Sequence, residues 1–256
     1  MILFNQLIFG PIQSRRLGLS LGINLLPVDA KICSFDCLYC ECGFNTTIQD
    51  SPIPNREQVQ HALHEKLVEM LNANQIPDVI TFAGNGEPTL HADFEGIIDD
   101  TIALRNELCP TAKISVLSNS TRIDKPNIFN ALKKIDNNIL KFDSAIDRTM
   151  LLINRPTSKK YTVSWFIEKL KKFEGQVIIQ TMFIKGRYKN ESFDNTTEIE
   201  INAWLDALEI IKPKQVMIYT LDREAPVKEL QKIAIEELNR IAHIARTRGF
   251  DVSVAG

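Results

Sequence analysis

The stretch REQVQHALHEKLVEMLNANQIPDVITFAGNGEP, residues 56–88, carries a helix pattern, a strand pattern and a glycine turn in that order. Val59, Leu63, Leu67, Met70 and Leu71 recur at helical spacing, which predicts a helix from about Arg56 to Asn74. Asp78-Val-Ile-Thr-Phe82 is a short apolar run rich in β-branched residues, the signature of a buried strand. Downstream the same alternation continues. Phe94, Ile97, Ile98 and Ile102 mark a helix and Ile114–Leu117 a strand; a helix starting at Pro126 precedes the strand Ile139–Phe142. A helix carrying Val163, Phe166, Ile167 and Leu170 leads to Val177–Phe183, and one carrying Trp204, Leu205 and Leu208 leads to Gln215–Tyr219. A last helix, Ile235 to Arg248, stops at Gly249, and Phe250–Val254 reads as a further strand.

Strands alternating with helices specify a parallel α/β architecture, because a parallel strand needs a long crossover that a helix fills. With Gly22–Leu26 as the opening strand, six parallel strands precede the last segment, so the expected fold is α/β, a partial (β/α)6 TIM-like barrel. At 256 residues with no linker or internal repeat, one domain is expected over 1–256. It divides into an N-terminal segment (1–32), a cysteine loop (33–43), β/α units (56–220) and a C-terminal helix and strand (221–256). Ligands in such folds sit beyond the carboxyl ends of the strands, so polar residues that follow each strand become site candidates.

Lys and Arg number 30 against 32 Asp and Glu, a net charge of −2, which gives nucleic-acid binding no support. The opening Met1-Ile2-Leu3-Phe4 is interrupted by Asn5 and Gln6 and resembles neither a signal peptide nor a membrane span; a cytoplasmic location is expected. Four of the five cysteines lie between residues 33 and 42. That is a metal-type cluster rather than a distributed disulfide framework.

Cys33-Ser-Phe-Asp-Cys37-Leu-Tyr-Cys40 has the spacing C-x3-C-x2-C, with Cys42 two residues on. Thiolates are the usual iron–sulfur ligands, and three of them on one loop leave one iron of a four-iron cluster open. This spacing resembles that of the radical S-adenosylmethionine (SAM) superfamily. The resemblance implies one [4Fe-4S] cluster on Cys33, Cys37 and Cys40, SAM on the open iron, and reductive cleavage to a 5′-deoxyadenosyl radical that abstracts hydrogen from a substrate. It places Tyr39 near the adenine, and likens Gly84-Asn85-Gly86-Glu87-Pro88 to the segment that binds the amino group of SAM. Ser118 and Asn119, then Asp143, Ser144 and Gln180, match polar positions beside its methionine and ribose parts. It also implies an external one-electron donor of flavodoxin or ferredoxin type.

Gly10–Gly22, with Arg15 and Arg16, is similar to the wyosine synthase-like group. That group carries a second cluster, whereas here no cysteine precedes Cys33 and only Cys42 and Cys109 remain afterwards. A single cluster is therefore expected, and the tRNA substrate does not carry over. No catalytic side chain is assigned. The substrate is a small molecule or nucleoside, or else a residue of a partner protein modified by an activase. Cys42, Arg155, Asp222 and Arg223 are candidates for the substrate side.

The rival from another class is a zinc-binding module without catalysis, built on Cys37-Leu-Tyr-Cys40 with Cys42. Zinc sites usually pair two separated elements, and no second one follows. Glu87 and its glycines alone would read as a simple turn. Cys109 before Pro110 reads as structural, His61 and His64 as solvated, and His91 as a turn residue.

Overall fold

The computed structural model describes residues 2–14, 17–46 and 52–256. Arg15 and Arg16 lie outside the described residues. The chain opens with a hairpin, β1 (Ile8–Ser14) and β2 (Gly18–Ile23). The units α1 (Arg56–Asn72), β3 (Val79–Phe82), α2 (Phe94–Leu108), β4 (Lys113–Ser118), α3 (Pro126–Lys133) and β5 (Asn137–Lys141) follow. Next come α4 (Asp147–Asn154), α5 (Val163–Leu170), β6 (Ile178–Met182), β7 (Ile184–Tyr188), β8 (Glu191–Asp194), α6 (Glu198–Ile211) and β9 (Gln215–Tyr219). The chain then runs through β10 (Leu230–Lys232) and α7 (Ile235–Thr247) to β11 (Val252–Ala255).

Eight strands form one curled half-barrel sheet in the order β1-β2-β3-β4-β5-β6-β9-β11. β1 pairs antiparallel with β2, and every other described pairing in this sheet is parallel. The sheet is therefore the expected α/β partial barrel, widened by β11 on one side and β1 on the other. The opening strand lies earlier than its sequence suggests, at Gly18–Ile23 rather than Gly22–Leu26. Asn24 turns the chain out, its Oδ1 accepting from Leu26 N at 3.3 Å and its Nδ2 donating to Leu26 O at 3.0 Å. Such a local side-chain loop competes with strand pairing.

Helices cover the convex face because alternate strand residues on that side are apolar. Leu21, Ile23, Ile80, Phe82, Ile114, Val116, Leu140, Ile179, Val216 and Ile218 are buried in one core with Leu63, Leu67, Ile97 and Trp204 from the helices. A smaller cluster of Ile139, Ile178 and Met217, with Leu17 and Leu117 against it, comes from the alternate strand positions. It fills the concave side below the strand ends. Local signals set the helix limits as read: Asn55 and Gln58 form a capping box, Pro126 opens α3, and Gly249 takes φ +90° after α7.

Besides β1, two further features were not read from sequence. The helix α4 is short, and its apolar stripe is one turn and a half, too little for periodicity to stand out. A second sheet, β10-β7-β8, interrupts the β/α alternation. Its hairpin turns on Lys189 and Asn190, at φ +46° and +67°, so no glycine marks it.

Candidate active site

The cysteine loop runs from β2 to α1 and is stitched to the Gly84–Pro88 turn. Ile32 N donates to Asn85 O and Glu87 N donates to Ile32 O, both at 3.0 Å. Gly86 sits at φ +135°, and a Cβ there would stand 1.8 Å from Ile32 O. Only glycine allows this approach. Asn85 accounts for the residue between the two glycines: its amide accepts from Phe4 N at 2.8 Å and donates to Phe4 O at 2.9 Å and Pro27 O at 2.8 Å. It ties down the N-terminal segment and faces away from the cavity.

A cavity of about 160 Å³ lies above the strand ends, lined by Cys33, Cys37, Cys40, Tyr39, Gly84, Gly86, Glu87, Ser118, Asn119 and Gln180. Ten of the expected residues thus converge. Lys31, Phe35, Leu117 and Lys141 line it as well. Lys141 was visible as a charge at a strand end, but nothing in the sequence told it from a surface lysine.

The thiols are met by donors. Asn119 Nδ2 stands 3.3 Å from Cys33 Sγ, and Asn154 Nδ2 stands 3.5 Å from Cys37 Sγ. Burial pushes Cys33 up to about 12 and Cys37 up to about 11. A hydrogen bond from Cys42 lowers Cys40 to about 6, and that bond raises Cys42 in turn. Cys42 also donates to Gly84 O at 3.4 Å.

Lys31 is 1% exposed, donating to Gly43 O at 2.8 Å. Burial opposes its charge, but Cys40, Cys33, Cys37 and Asp36 outweigh that and its pKa is raised. A buried cation among three thiols suits a ligand set that carries negative charge once deprotonated. Among the described residues, no three His, Cys, Asp or Glu side chains gather closely enough to hold a single metal ion. The three thiols that line this cavity are donors of the kind iron–sulfur clusters use.

Glu87 is fully buried. Its Oε1 accepts from Thr89 N at 3.1 Å, from Thr89 Oγ1 and from Ser118 Oγ at 2.8 Å, while Oε2 accepts from Asn119 N at 2.6 Å. Desolvation raises its pKa against those bonds. Oε2, with one donor, keeps a lone pair for an incoming ammonium. Gln180 lines the cavity with no side-chain partner among the described residues.

Asp143 and Ser144 are placed differently from expectation. Asp143 is buried under the cavity wall, accepting from Tyr39 Oη, from Asn154 Nδ2 at 2.6 Å and from Met182 N at 2.9 Å. It orients Tyr39. Lys141 Nζ donates to Tyr39 Oη and lies 3.6 Å from Asp143, whose charge raises the lysine's pKa despite burial. Ser144 Oγ donates to Glu200 at 2.7 Å and lines no part of the cavity.

A second cavity of about 330 Å³ shares Leu117 with the first and lies under the β1–β2 hairpin. Phe4, Phe9, Ser20, Thr81, Glu41, Asp222 and Arg223 line it, with Arg223 paired to Glu41 at 2.8 Å. Arg155 lines neither cavity. Its guanidinium packs between Phe44 and Tyr188 and reaches Asp36 Oδ2 at 3.4 Å. Cys109 is buried, His61 and His64 are exposed, and His91 holds the turn through Pro54 O and Asp93 N.

Residues 28–198 match the radical SAM superfamily. A UPF0026 protein of Methanocaldococcus jannaschii is 31% identical over 92% of this chain and 70% of its own length. A radical SAM methyltransferase from Sphaerobacter thermophilus superposes with a TM-score of 0.68 at 14% identity, over 92% of this chain and 65% of its own. Streptococcus suis SuiB bound to S-adenosylmethionine superposes at 0.64 and 13% identity, over 89% of this chain and 49% of its own. At these identities the structures share the fold. No helix among the described residues is long and apolar enough to cross a membrane.

Proposed function

Since the chain belongs to the radical SAM superfamily, whose members are enzymes that hold an iron–sulfur cluster and SAM, we propose that it cleaves SAM reductively at a single [4Fe-4S] cluster carried by Cys33, Cys37 and Cys40. The bound cluster and SAM would together supply a 5′-deoxyadenosyl radical able to take hydrogen from a substrate. The observation that carries the reading is the convergence of these three thiols, Glu87 and Gln180 on one cavity at the strand ends.

In this reading the chain's own groups bind and orient. Asn119 and Asn154 donate to two of the sulfurs, and Lys31 offsets their charge. Glu87 accepts the ammonium of SAM, and Ser118 and Asn119 hold the Glu87 carboxylate in place. Gln180 offers an unused amide to the cofactor's polar groups. Tyr39, fixed by Asp143 and Lys141, presents its ring as a platform for the adenine. The whole chain acts as one domain, and the spare thiols Cys42 and Cys109 are too few for a second cluster.

The adjoining cavity is the substrate side, with Asp222 and Arg223 at its rim and Cys42 near the turn. Its volume suits a small molecule, a nucleoside or one side chain of a partner protein. Zinc binding without catalysis stays the rival reading, though zinc sites usually pair two separated ligand elements and this sequence offers one.

The test is anaerobic reconstitution with iron and sulfide, then an assay for 5′-deoxyadenosine with SAM and a reductant. A cluster absorbance and 5′-deoxyadenosine are expected from the wild type and from Cys42→Ala. The triple Cys33, Cys37, Cys40→Ala variant should lose both. A wild-type protein that binds zinc and takes up no cluster would sink the reading.

A further inference from the structure

The second cavity has an aromatic wall that no sequence pattern disclosed. Phe9 on β1 pairs with Gly22 on β2, and a Cβ at Gly22 would stand 2.2 Å from the Phe9 ring. The ring therefore lies in the place that a side chain on β2 would take. Phe4 stacks on it, with ring centroids 3.9 Å apart and planes at 26°. The Asn85 amide grips both Phe4 N and Phe4 O, at 2.8 and 2.9 Å. Asn85 belongs to the Gly84–Pro88 turn, whose Glu87 lines the first cavity, so the wall of one cavity is anchored on the turn that borders the other.

Ser20 Oγ and Thr81 Oγ1, which also line this cavity, lie 2.8 Å apart. Whichever of them donates, the other keeps its hydroxyl hydrogen and both keep lone pairs, so a donor and an acceptor stand side by side. A ring edge that carries both, such as a lactam, complements that pair. The charged lining among the described residues is Glu41, Asp222 and Arg223, two carboxylates against one guanidinium, and that guanidinium lies 2.8 Å from Glu41. A phosphate entering here would meet more negative than positive charge. Glu41 O also accepts from Ile2 N at 2.8 Å, so the N-terminal segment, the cysteine loop and the chain between β9 and β10 are joined at one side of the rim. A compound that enters whole suits a bridged rim better than a loop of a partner protein does.

We infer that the Phe4–Phe9 stack recognises the substrate, and that the substrate is a free, uncharged planar heterocycle, with or without a sugar but without phosphate. The inference rests on the reading of this cavity as the substrate side. Stacking on the aromatic wall supplies affinity for a flat ring, and the Ser20–Thr81 pair reads the ring's edge. The excess of carboxylates turns away phosphorylated forms, a nucleic-acid strand included.

The test uses the reconstituted full chain with SAM present and no reductant, and inosine as the probe, with binding followed calorimetrically. Phe9→Ala removes the wall, whereas Gly22→Ala keeps both rings and an ordinary backbone conformation but drives the end of the Phe9 ring from its place. Each variant should weaken inosine binding by roughly fivefold or more. Inosine 5′-monophosphate should bind the wild type roughly fivefold or more weakly than inosine at low salt, a gap that narrows at high salt. Ile210→Ala, 53% exposed on α6, should bind inosine as the wild type does. Wild-type affinity in both wall variants, a monophosphate that binds as tightly as inosine, or a tryptophan-bearing peptide that binds more tightly at the same wall would each overturn the inference. So would the absence of inosine binding in a protein that forms 5′-deoxyadenosine once reductant is added. A wild type that forms no 5′-deoxyadenosine would instead strike the cluster reading, while the inosine titration, which needs no reductant, still decides the role of the wall.

Discussion

Replacing Gly86 by Ala tests the seam that joins the cysteine loop to the barrel. The added Cβ would meet Ile32 O at 1.8 Å, and that oxygen must retreat until the contact exceeds the 3.0 Å that real Cβ atoms keep. Ile32 O accepts from Glu87 N, and Ile32 N donates to Asn85 O, so the retreat breaks both bonds. Two hydrogen bonds at about 1 kcal/mol each, with about 1–2 kcal/mol for a non-glycine residue at positive φ, give a loss of roughly 3–4 kcal/mol. For a chain of this size that lowers Tm by roughly 6–16 °C. Gly249→Ala is the matched control: it also has a positive φ, but its Cβ meets nothing within 4 Å, so only the conformational cost of about 1–2 kcal/mol applies. Thermal melts followed by circular dichroism give the two losses, and iron and sulfide content after reconstitution gives the loading. Gly86→Ala should lose more stability than Gly249→Ala and most of its cluster. Equal melting losses with full loading in both would refute the steric argument.

Asn154→Ala removes the amide that faces Cys37 Sγ and Asp143 Oδ2, so the midpoint potential of the reconstituted cluster should fall by spectroelectrochemistry. The buried Asp143 also loses a donor, worth about 1–3 kcal/mol in denaturant melts; a potential that stays or rises would contradict the assignment. Trp204→Ala empties a fully buried site packed on Phe183 and Thr181, and should cost about 3–5 kcal/mol in urea unfolding while leaving cluster content per folded molecule unchanged.

The alternating pattern made the parallel half-barrel legible, because buried strands and amphipathic helices leave different periods in the chain. The β7–β8 hairpin escaped since its turn uses Lys189 and Asn190 at positive φ, residues that do not advertise a turn as glycine does. Within the site, short-range spacing disclosed the cysteines and the Gly84–Pro88 turn. It could not tell which polar side chains face inward. Asp143 and Ser144 follow the same strand as Lys141, yet Lys141 lines the cavity while the other two serve Tyr39 and Glu200. Asn154 was invisible because its partner Cys37 is 117 residues away in sequence.

That separation bears on synthesis. The cysteine loop is fastened by Gly84–Glu87, then by Asn119 and Thr121, and last by Asn154 to Thr157, so its ordering is a late, non-local event. At roughly 5–20 residues per second, Cys37 would leave the ribosome many seconds before Asn154 exists to face it. During that interval the thiols have neither donors nor walls around them. Assembly of a cluster is thereby tied to the completion of two thirds of the barrel, and the vulnerable period for oxidation is set by the order in which the chain is made.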